Sequence, residues 1–198
     1  MGSESLKSYL AKRDFDRTPE PSGAKTAKQT DRPVFVVQEH DASSHHFDFR
    51  LEVDGVLVSW AVPKGPSLDP RDKRLAVRTE DHPLDYRDFE GVIPEDEYGG
   101  GTVSVWDGGP YRNLMAEKDA PLSMAESLET GHIEVWLDGE KLTGGFVLIH
   151  AKMGGDEKNW LLKKLDDDTA DARRKPARTQ MKSVLSGRTI AEITDDEA

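Results

Sequence analysis

Cysteine is absent from the 198 residues of this chain. The absence excludes disulfide bonds, thiolate nucleophiles and cysteine zinc sites, so any metal must be held by histidine, carboxylates or water. Long apolar runs are also missing: no segment approaches the roughly 20 residues of a membrane span. Residues 1–12 lack the continuous apolar stretch of a secretory signal. We therefore expect a cytoplasmic protein with no membrane partner.

Positive charge is scarce in one part of the chain. The net charge is −11, and residues 79–150 alone carry 16 acidic and 4 basic side chains. An acidic protein is a poor general binder of nucleic acid, because phosphate contacts require a basic surface. The first 78 residues are close to neutral, however, so a local cationic site remains possible there.

Short strand signals dominate the middle of the sequence. Asp54-Gly55 is typical of a tight hairpin turn, Gly99-Gly-Gly101 of a sharp bend into a strand, and Ser123 with Glu126 of a helix that Gly131 ends. The pattern predicts a mainly β fold, a closed or partly closed barrel of about eight strands with a few short peripheral helices. Its strands are expected at residues 34–38, 46–53, 56–60, 75–78, 102–106, 133–137, 146–152 and 160–164.

Three parts are predicted along the chain. Residues 1–32 form a helix, expected over 3–12, and an arm rich in Pro, Gly, Thr and Lys that contributes to the active site. Residues 33–165 form the barrel. Residues 166–198 form a charged, partly mobile tail.

The most informative segment runs from His40 to Arg50. Side chains alternate along a strand, so His46, Asp48 and Arg50 share one face, while Phe47 and Phe49 face the core. Nitrogen and carboxylate ligands suit Mn²⁺, Zn²⁺ or Fe²⁺, with His40 as a third ligand. Arg50 beside them could grip a phosphate with two parallel hydrogen bonds.

Three interpretations of this segment stay open on pattern alone. Alternating polar residues on a strand often mark only a solvated face. His46 and Asp48 with a distant His82 or His150 also match the facial triad of non-haem Fe(II) oxygenases that use a 2-oxo acid. A non-catalytic module that docks DNA ends is the third possibility.

Longer motifs help to choose between these three interpretations. Several stretches resemble those of a known protein family. They include Tyr9-Leu-Ala-Lys-Arg-Asp, Phe35-Val-Val-Gln-Glu-His-Asp-Ala-Ser-Ser-His-His-Phe-Asp-Phe-Arg50, Arg78-Thr-Glu-Asp-His-Pro-Leu-Asp-Tyr86 and Trp160-Leu-Leu-Lys-Lys164. Over about residues 9–165 the chain resembles the phosphoesterase module of bacterial DNA ligase D and its free-standing relatives. Asp96 departs from the pattern, which usually shows glycine there. We expect little effect, because aspartate tolerates left-handed backbone.

The resemblance implies an enzyme that removes a 3′-terminal ribonucleoside and then hydrolyses the 3′-phosphate to a hydroxyl in double-strand break repair. It implies a manganese-type site and nucleic-acid 3′ ends as substrate. The sequence carries no polymerase or ligase motifs, so the protein could act alone or use separate ligase and polymerase proteins as partners. The implied metal ligands are His40, His46 and Asp48. The implied catalytic residues are His82, Arg50, Tyr86, Arg74 and Lys64, supported by Arg13, Asp14, Glu20, Gln38 and Glu80.

Overall fold

The computed structural model describes residues 5–24, 31–151 and 156–197. Strands predominate, as the sequence predicts. They are β1 (Val34–Asp41), β2 (His46–Val53), β3 (Val56–Val62), β4 (Arg74–Arg78), β5 (His82–Pro83), β6 (Gly91–Ile93), β7 (Gly101–Asn113), β8 (His132–Asp138), β9 (Thr143–His150) and β10 (Asn159–Lys164). The α-helices are α1 (Lys7–Ala11), α2 (Met124–Thr130), α3 (Pro176–Thr179) and α4 (Ile190–Glu197). Two 3₁₀ turns cover Leu84–Asp88 and Leu114–Glu117.

Eight antiparallel strands close into a barrel. The hydrogen-bonded order is β1-β2-β3-β4-β10-β9-β8-β7, and β7 pairs back onto β1. Two short strands are additions to this ring: β5 pairs with β3 and β6 with β7. The predicted closed barrel is confirmed.

The turns and the helix that local sequence signals predicted are present in the structure. Asp54 and Gly55 both adopt positive φ, 48° and 86°, as the tight turn between β2 and β3 requires. Ser123 caps α2 in a full capping box, and Gly131 ends the helix in the left-handed conformation. The predicted strand over 146–152 is β9, and Lys152 lies outside the described residues, as do residues 3 and 4 of the predicted first helix.

Alternation on β2 sorts its side chains between two layers. Phe47 and Phe49 point into the barrel and belong to its apolar core, as predicted. The opposite face of the sheet is covered rather than solvated: Tyr9 from α1, Tyr86 and Phe89 form a second apolar cluster against β1, β3 and β7. The polar residues of β2 therefore lie in a partly closed space between the barrel wall and this outer layer.

Residues 166–197 run along the barrel. The indole nitrogen of Trp106 donates to the carbonyl of Gln180 at 2.7 Å. On α4, Ile193 is fully buried, and the carboxylate of Glu197 accepts from the amide of Val92 on β6 at 2.8 Å. These contacts cover the β6 edge. The division into arm, barrel and mobile tail stays a prediction.

Candidate metal centre

Three metal-ligand side chains meet where β1 ends and β2 begins. His40 and His46 are register partners across the two strands, and Asp48 follows on the same face of β2. The Asp48 carboxylate lies 3.7 Å from Nδ1 of His40 and 3.6 Å from Nε2 of His46. The pairing of the strands thus brings together the three residues that the sequence suggested as ligands.

The geometry of this cluster fits a divalent ion. One ligand atom from each residue lies within 4.8 Å of the other two. Ligands about 2.0–2.2 Å from a metal are at most about 4.4 Å apart, so side-chain shifts of a few tenths of an ångström suffice. His46 Nδ1 lies 2.8 Å from the carbonyl of Ser44, which fixes the proton on that nitrogen and leaves the Nε2 lone pair free. His40 Nε2 is buried with no hydrogen-bond partner.

Burial and neighbouring charges have opposite effects on the pKa values of Asp48 and His46. Burial favours a neutral Asp48, but Arg50 and the two histidines outweigh it, and the pKa of Asp48 lies well below its ordinary value. Burial likewise favours a neutral His46, but the hydrogen bond to Asp48 and its charge outweigh it and raise the pKa of His46 above 6.5. Metal binding therefore competes with protonation of His46, whereas Asp48 is already ionised.

Arg50 connects the cluster to the rest of the site. Its guanidinium donates to Gln38 Oε1 at 2.8 Å, Ser59 Oγ at 2.8 Å and His82 Nδ1 at 3.0 Å, and its Nη2 forms an ion pair with Asp48 Oδ2 at 3.2 Å. Three of the five N–H groups of the arginine are thereby used, and the two on Nη2 remain beside Asp48. Parallel bonds from two different nitrogens, as the sequence suggested for a phosphate, are not available in this arrangement because Nε and Nη1 are both used.

His82 lies on the far side of Arg50 from the metal cluster. Burial, followed by the charges of Arg50 and Arg13, holds the pKa of His82 well below 6.5, so the ring is neutral at pH 7. Its Nδ1 also lies 2.9 Å from the carbonyl of Glu80, but one nitrogen cannot accept from Arg50 and donate to Glu80 at once. The bond from a charged donor is the stronger, so we assign the ring proton to Nε2.

The N-terminal arm completes the wall of the site. The buried carboxylate of Glu20 accepts from Arg13 at 2.8 Å, from the Tyr86 hydroxyl at 2.9 Å and from Thr18 at 2.9 Å. Arg13 also reaches Glu80 at 3.3 Å. Burial, with the negative charge of Glu20, raises the pKa of Tyr86 well above 10, so its hydroxyl stays a donor. The charged side chains of Arg13 and Glu20 are thus fixed beside the cluster.

A cavity of about 300 Å³ opens over these groups. It is lined by nine of the predicted site residues, namely His40, His46, Asp48, Arg50, His82, Tyr86, Arg13, Glu20 and Glu80. Gln38 lies behind Arg50 and donates to the carbonyls of Tyr86 and Phe89. The cavity wall includes Tyr98 and Thr79, which sequence reasoning did not assign to the site.

Besides Gln38, three predicted residues do not line the cavity. Arg74 lies at the start of β4 and pairs with Asp72 at 3.0 Å. Lys64 is exposed in the loop after β3. Asp14 is exposed and caps the turn of the arm by accepting the amide of Asp16. Their predicted roles at the scissile phosphate stay predictions. His150, an alternative ligand for an oxygenase triad, stacks on Trp160 outside the cluster.

A model of the DNA ligase D 3′-phosphoesterase domain matches residues 38–150, more than half of the chain and the part that carries the cluster. The chain belongs to this family. Asp96, where the family pattern usually has glycine, is not left-handed here and instead pairs with Arg17 of the arm.

Three relatives of the family are multifunctional non-homologous end joining proteins named LigD. The protein of Pseudomonas aeruginosa is 51% identical over 191 residues, which is 95% of this chain and 22% of that protein. The protein of Mycolicibacterium smegmatis is 42% identical over 83% of this chain and 21% of its own length. That of Mycobacterium tuberculosis is 42% identical over 82% and 20%. The phosphoesterase-family chain described here spans about a fifth of these relatives.

None of the helices in the described part of this chain is long and apolar enough to cross a membrane.

Proposed function

We propose that this chain is a metal-dependent phosphoesterase that acts on the 3′ ends of nucleic-acid strands during DNA end repair. It removes a 3′-terminal ribonucleoside and then the remaining 3′-phosphate. The observation that carries the proposal is the His40–His46–Asp48 cluster in one cavity with the donors Arg50 and His82, in a chain of the 3′-phosphoesterase family. Separate ligase and polymerase proteins would use the healed end.

The donor set favours Mn²⁺ or a similar transition ion. Two imidazoles and one carboxylate suit Mn²⁺, Fe²⁺ and Zn²⁺, and no thiolate is present to select a softer ion. Such an ion neutralises phosphate charge and lowers the pKa of bound water. His40, His46 and Asp48 would hold it, leaving the side of the ion that faces the cavity to solvent and substrate.

The surrounding side chains supply the remaining chemistry. The Nη2 of Arg50 keeps its N–H groups for a phosphoryl oxygen, and Arg13 adds a second positive charge in the cavity. Because its ring is neutral, His82 serves first as a hydrogen-bond donor through Nε2–H. Transfer of a full proton to the leaving oxygen requires the bound phosphate to raise its pKa. His82→Ala that keeps activity would remove this role.

Water is the most economical nucleophile. The chain has no cysteine. The serine beside Arg50, Ser59, is fully buried and donates to the carbonyl of Leu57, so it lacks the adjacent base that activates a serine nucleophile. A covalent enzyme intermediate is not needed.

The deciding experiment uses a 5′-labelled primer–template that ends in one 3′ ribonucleotide, with Mn²⁺. We expect stepwise conversion to a shorter 3′-phosphate strand and then a 3′-hydroxyl strand. Chelator stops the reaction, and a 2-oxo acid does not change it. A wild-type protein that binds the primer and leaves it intact would instead support a docking module. Dependence on iron and a 2-oxo acid would support an oxygenase.

Metal affinity should rise with pH. The pKa of His46 is raised in the metal-free protein, so below that pKa each bound ion displaces the proton of this ring, and this proton alone lowers the affinity about tenfold per pH unit. The same proton stabilises the metal-free fold at low pH, and that contribution is lost as pH rises through the raised pKa. Calorimetric Mn²⁺ titration between about pH 5 and pH 8 measures the slope. The surface variant His132→Ala should keep it, and a flat profile would contradict the assignment.

A further inference from the structure

Tyr98 is the one exposed phenyl, phenol or indole ring in the parts of the chain that the structure describes. Its exposed fraction is 47%, whereas the other rings are buried or half-buried. It lines the metal cavity and also a neighbouring groove, which shares Thr79 and Glu80 with the cavity. The ring therefore stands at the boundary between the reacting centre and the surface that leads away from it.

The ring is held in this exposed position. Its hydroxyl accepts from Lys12 at 3.2 Å and lies 3.4 Å from the carboxylate of Glu80. The turn that carries it is tied to the arm, where Arg17 pairs with Glu97 at 2.9 Å. An exposed aromatic side chain gains little from burial, so contacts that fix it in the open suggest a surface that a ligand covers.

The residues that follow Tyr98 in the chain have no side chains. Gly99 and Gly100 come next, and a side chain at Gly99 would meet nothing within 4 Å apart from its chain neighbours, so the space around this residue is open. In the groove on the other side, the cationic side chains are Lys12, Arg78 and Lys158. Lys12 and Arg78 offset Glu80 and Asp81, while Lys158 is exposed. An aromatic ring between the metal cavity and a groove that carries the exposed Lys158 matches a single strand, whose bases stack on rings while its phosphates contact lysine.

We propose that Tyr98 is the stacking platform for the nucleobase at the 3′ end, and that the adjoining groove takes the strand that leads to it. The proposal rests on the proposed end-trimming function and adds a substrate-positioning residue to it. Tyr98 has no role in the chemical step. It raises the affinity for ends that carry a base.

The test compares two primer–template substrates, one with a 3′-terminal adenosine and one with a 3′-terminal ribose that lacks a base. Loss of stacking in Tyr98→Ala should raise KM for the base-bearing end about tenfold or more with little change in kcat. The abasic end should be cut equally by wild type and variant. Tyr98→Phe keeps the ring and should behave as wild type. Leu185→Ala, a similar loss of exposed apolar surface in the tail, is the control.

Several outcomes would overturn the inference. Equal KM in Tyr98→Ala and wild type, or an equal loss on both substrates, would exclude stacking. A Tyr98→Phe variant as weak as Tyr98→Ala would assign the effect to the hydroxyl and its contacts with Lys12 and Glu80. If Tyr98→Ala does not fold, Tyr98→Leu replaces it, because leucine keeps apolar bulk without a flat ring. Its KM on the same two substrates is then compared with that of wild type. Wild-type protein inactive on both ends would overturn the proposed function together with this inference, whereas an active wild type isolates Tyr98.

Discussion

Replacing Asp48 by asparagine should abolish metal-dependent cleavage and weaken Mn²⁺ binding by more than 100-fold. The carboxylate is the only negative group of the His40–His46–Asp48 cluster, and both imidazoles face it. Substitution of residues that merely orient metal ligands costs about 10–100-fold in affinity, so a direct ligand should cost more. Asparagine keeps the shape of the side chain, which separates loss of charge from loss of packing.

Calorimetric titration with Mn²⁺ and the 3′-ribonucleotide assay measure the two effects on one preparation. The matched control is Asp195→Asn, the same change at an exposed position of α4. A variant that binds Mn²⁺ as wild type does and still trims the primer would show that the ion lies elsewhere. Binding lost with activity retained would show that the reaction needs no metal at this cluster.

The metal-free protein gives an independent readout of the same change. Asp48 is the carboxylate that faces the buried Arg50, and breaking a buried ion pair by removing one partner typically costs about 3–5 kcal/mol. The variant should therefore unfold at lower urea concentration even without metal. Circular dichroism at the assay temperature confirms that the folded protein is being compared.

The cluster was predictable from the sequence because it depends on local rules. Alternation along one strand places His46 and Asp48 together, and a short connection brings His40 back beside them as the partner of His46. The apolar face of Phe47 and Phe49 fixes which side of the strand faces inward. A pattern of this kind needs no knowledge of distant contacts.

The long-range strand pairing that closes the barrel was harder to predict from the sequence. The predicted strand over residues 102–106 extends in β7 to Asn113, through Gly108-Gly109-Pro110, which resembles a turn in sequence. Pairing with β1 keeps it extended, and a Cβ at Gly109 would lie 2.3 Å from the carbonyl of Asp138, so glycine is needed for close approach. Such long-range pairing has no local signal.

Contacts between distant segments also decided which predicted site residues come together. Arg13 and Glu20 were implied by resemblance alone, and the structure places them beside Tyr86 through contacts 66 residues apart in sequence. Tyr98 was not predicted to be a site residue, and it lies at the cavity because the arm folds against the turn before β7. Arg50 was expected to hold a phosphate with two bonds, but its hydrogen-bond acceptors on β1, β3 and β5 have no local signal in the sequence.

Arg50→Lys should therefore lower kcat/KM at least 100-fold although the positive charge is retained. The guanidinium donates to three acceptors in different directions and pairs with Asp48, and Arg50 is only 2% exposed. A lysine ammonium has three donors on a single nitrogen and cannot span Gln38, Ser59, His82 and Asp48 together. Losing a preorganised donor of this kind typically costs about 100- to 1,000-fold in turnover. Unsatisfied buried acceptors should also lower the free energy of unfolding by about 3 kcal/mol.

Steady-state kinetics on the 3′-ribonucleotide primer and urea unfolding measure the two losses, with Arg112→Lys on the barrel surface as the matched control. Arg50→Gln adds a spectroscopic test, because it removes the charge that helps to hold the pKa of His82 down. Histidine NMR should show that pKa rising toward 6.5 in Arg50→Gln and staying low in Arg50→Lys. A lysine variant with near wild-type turnover would mean that Arg50 acts through its charge alone. Weak turnover with an unchanged His82 would instead show that the directions of its hydrogen bonds organise the site.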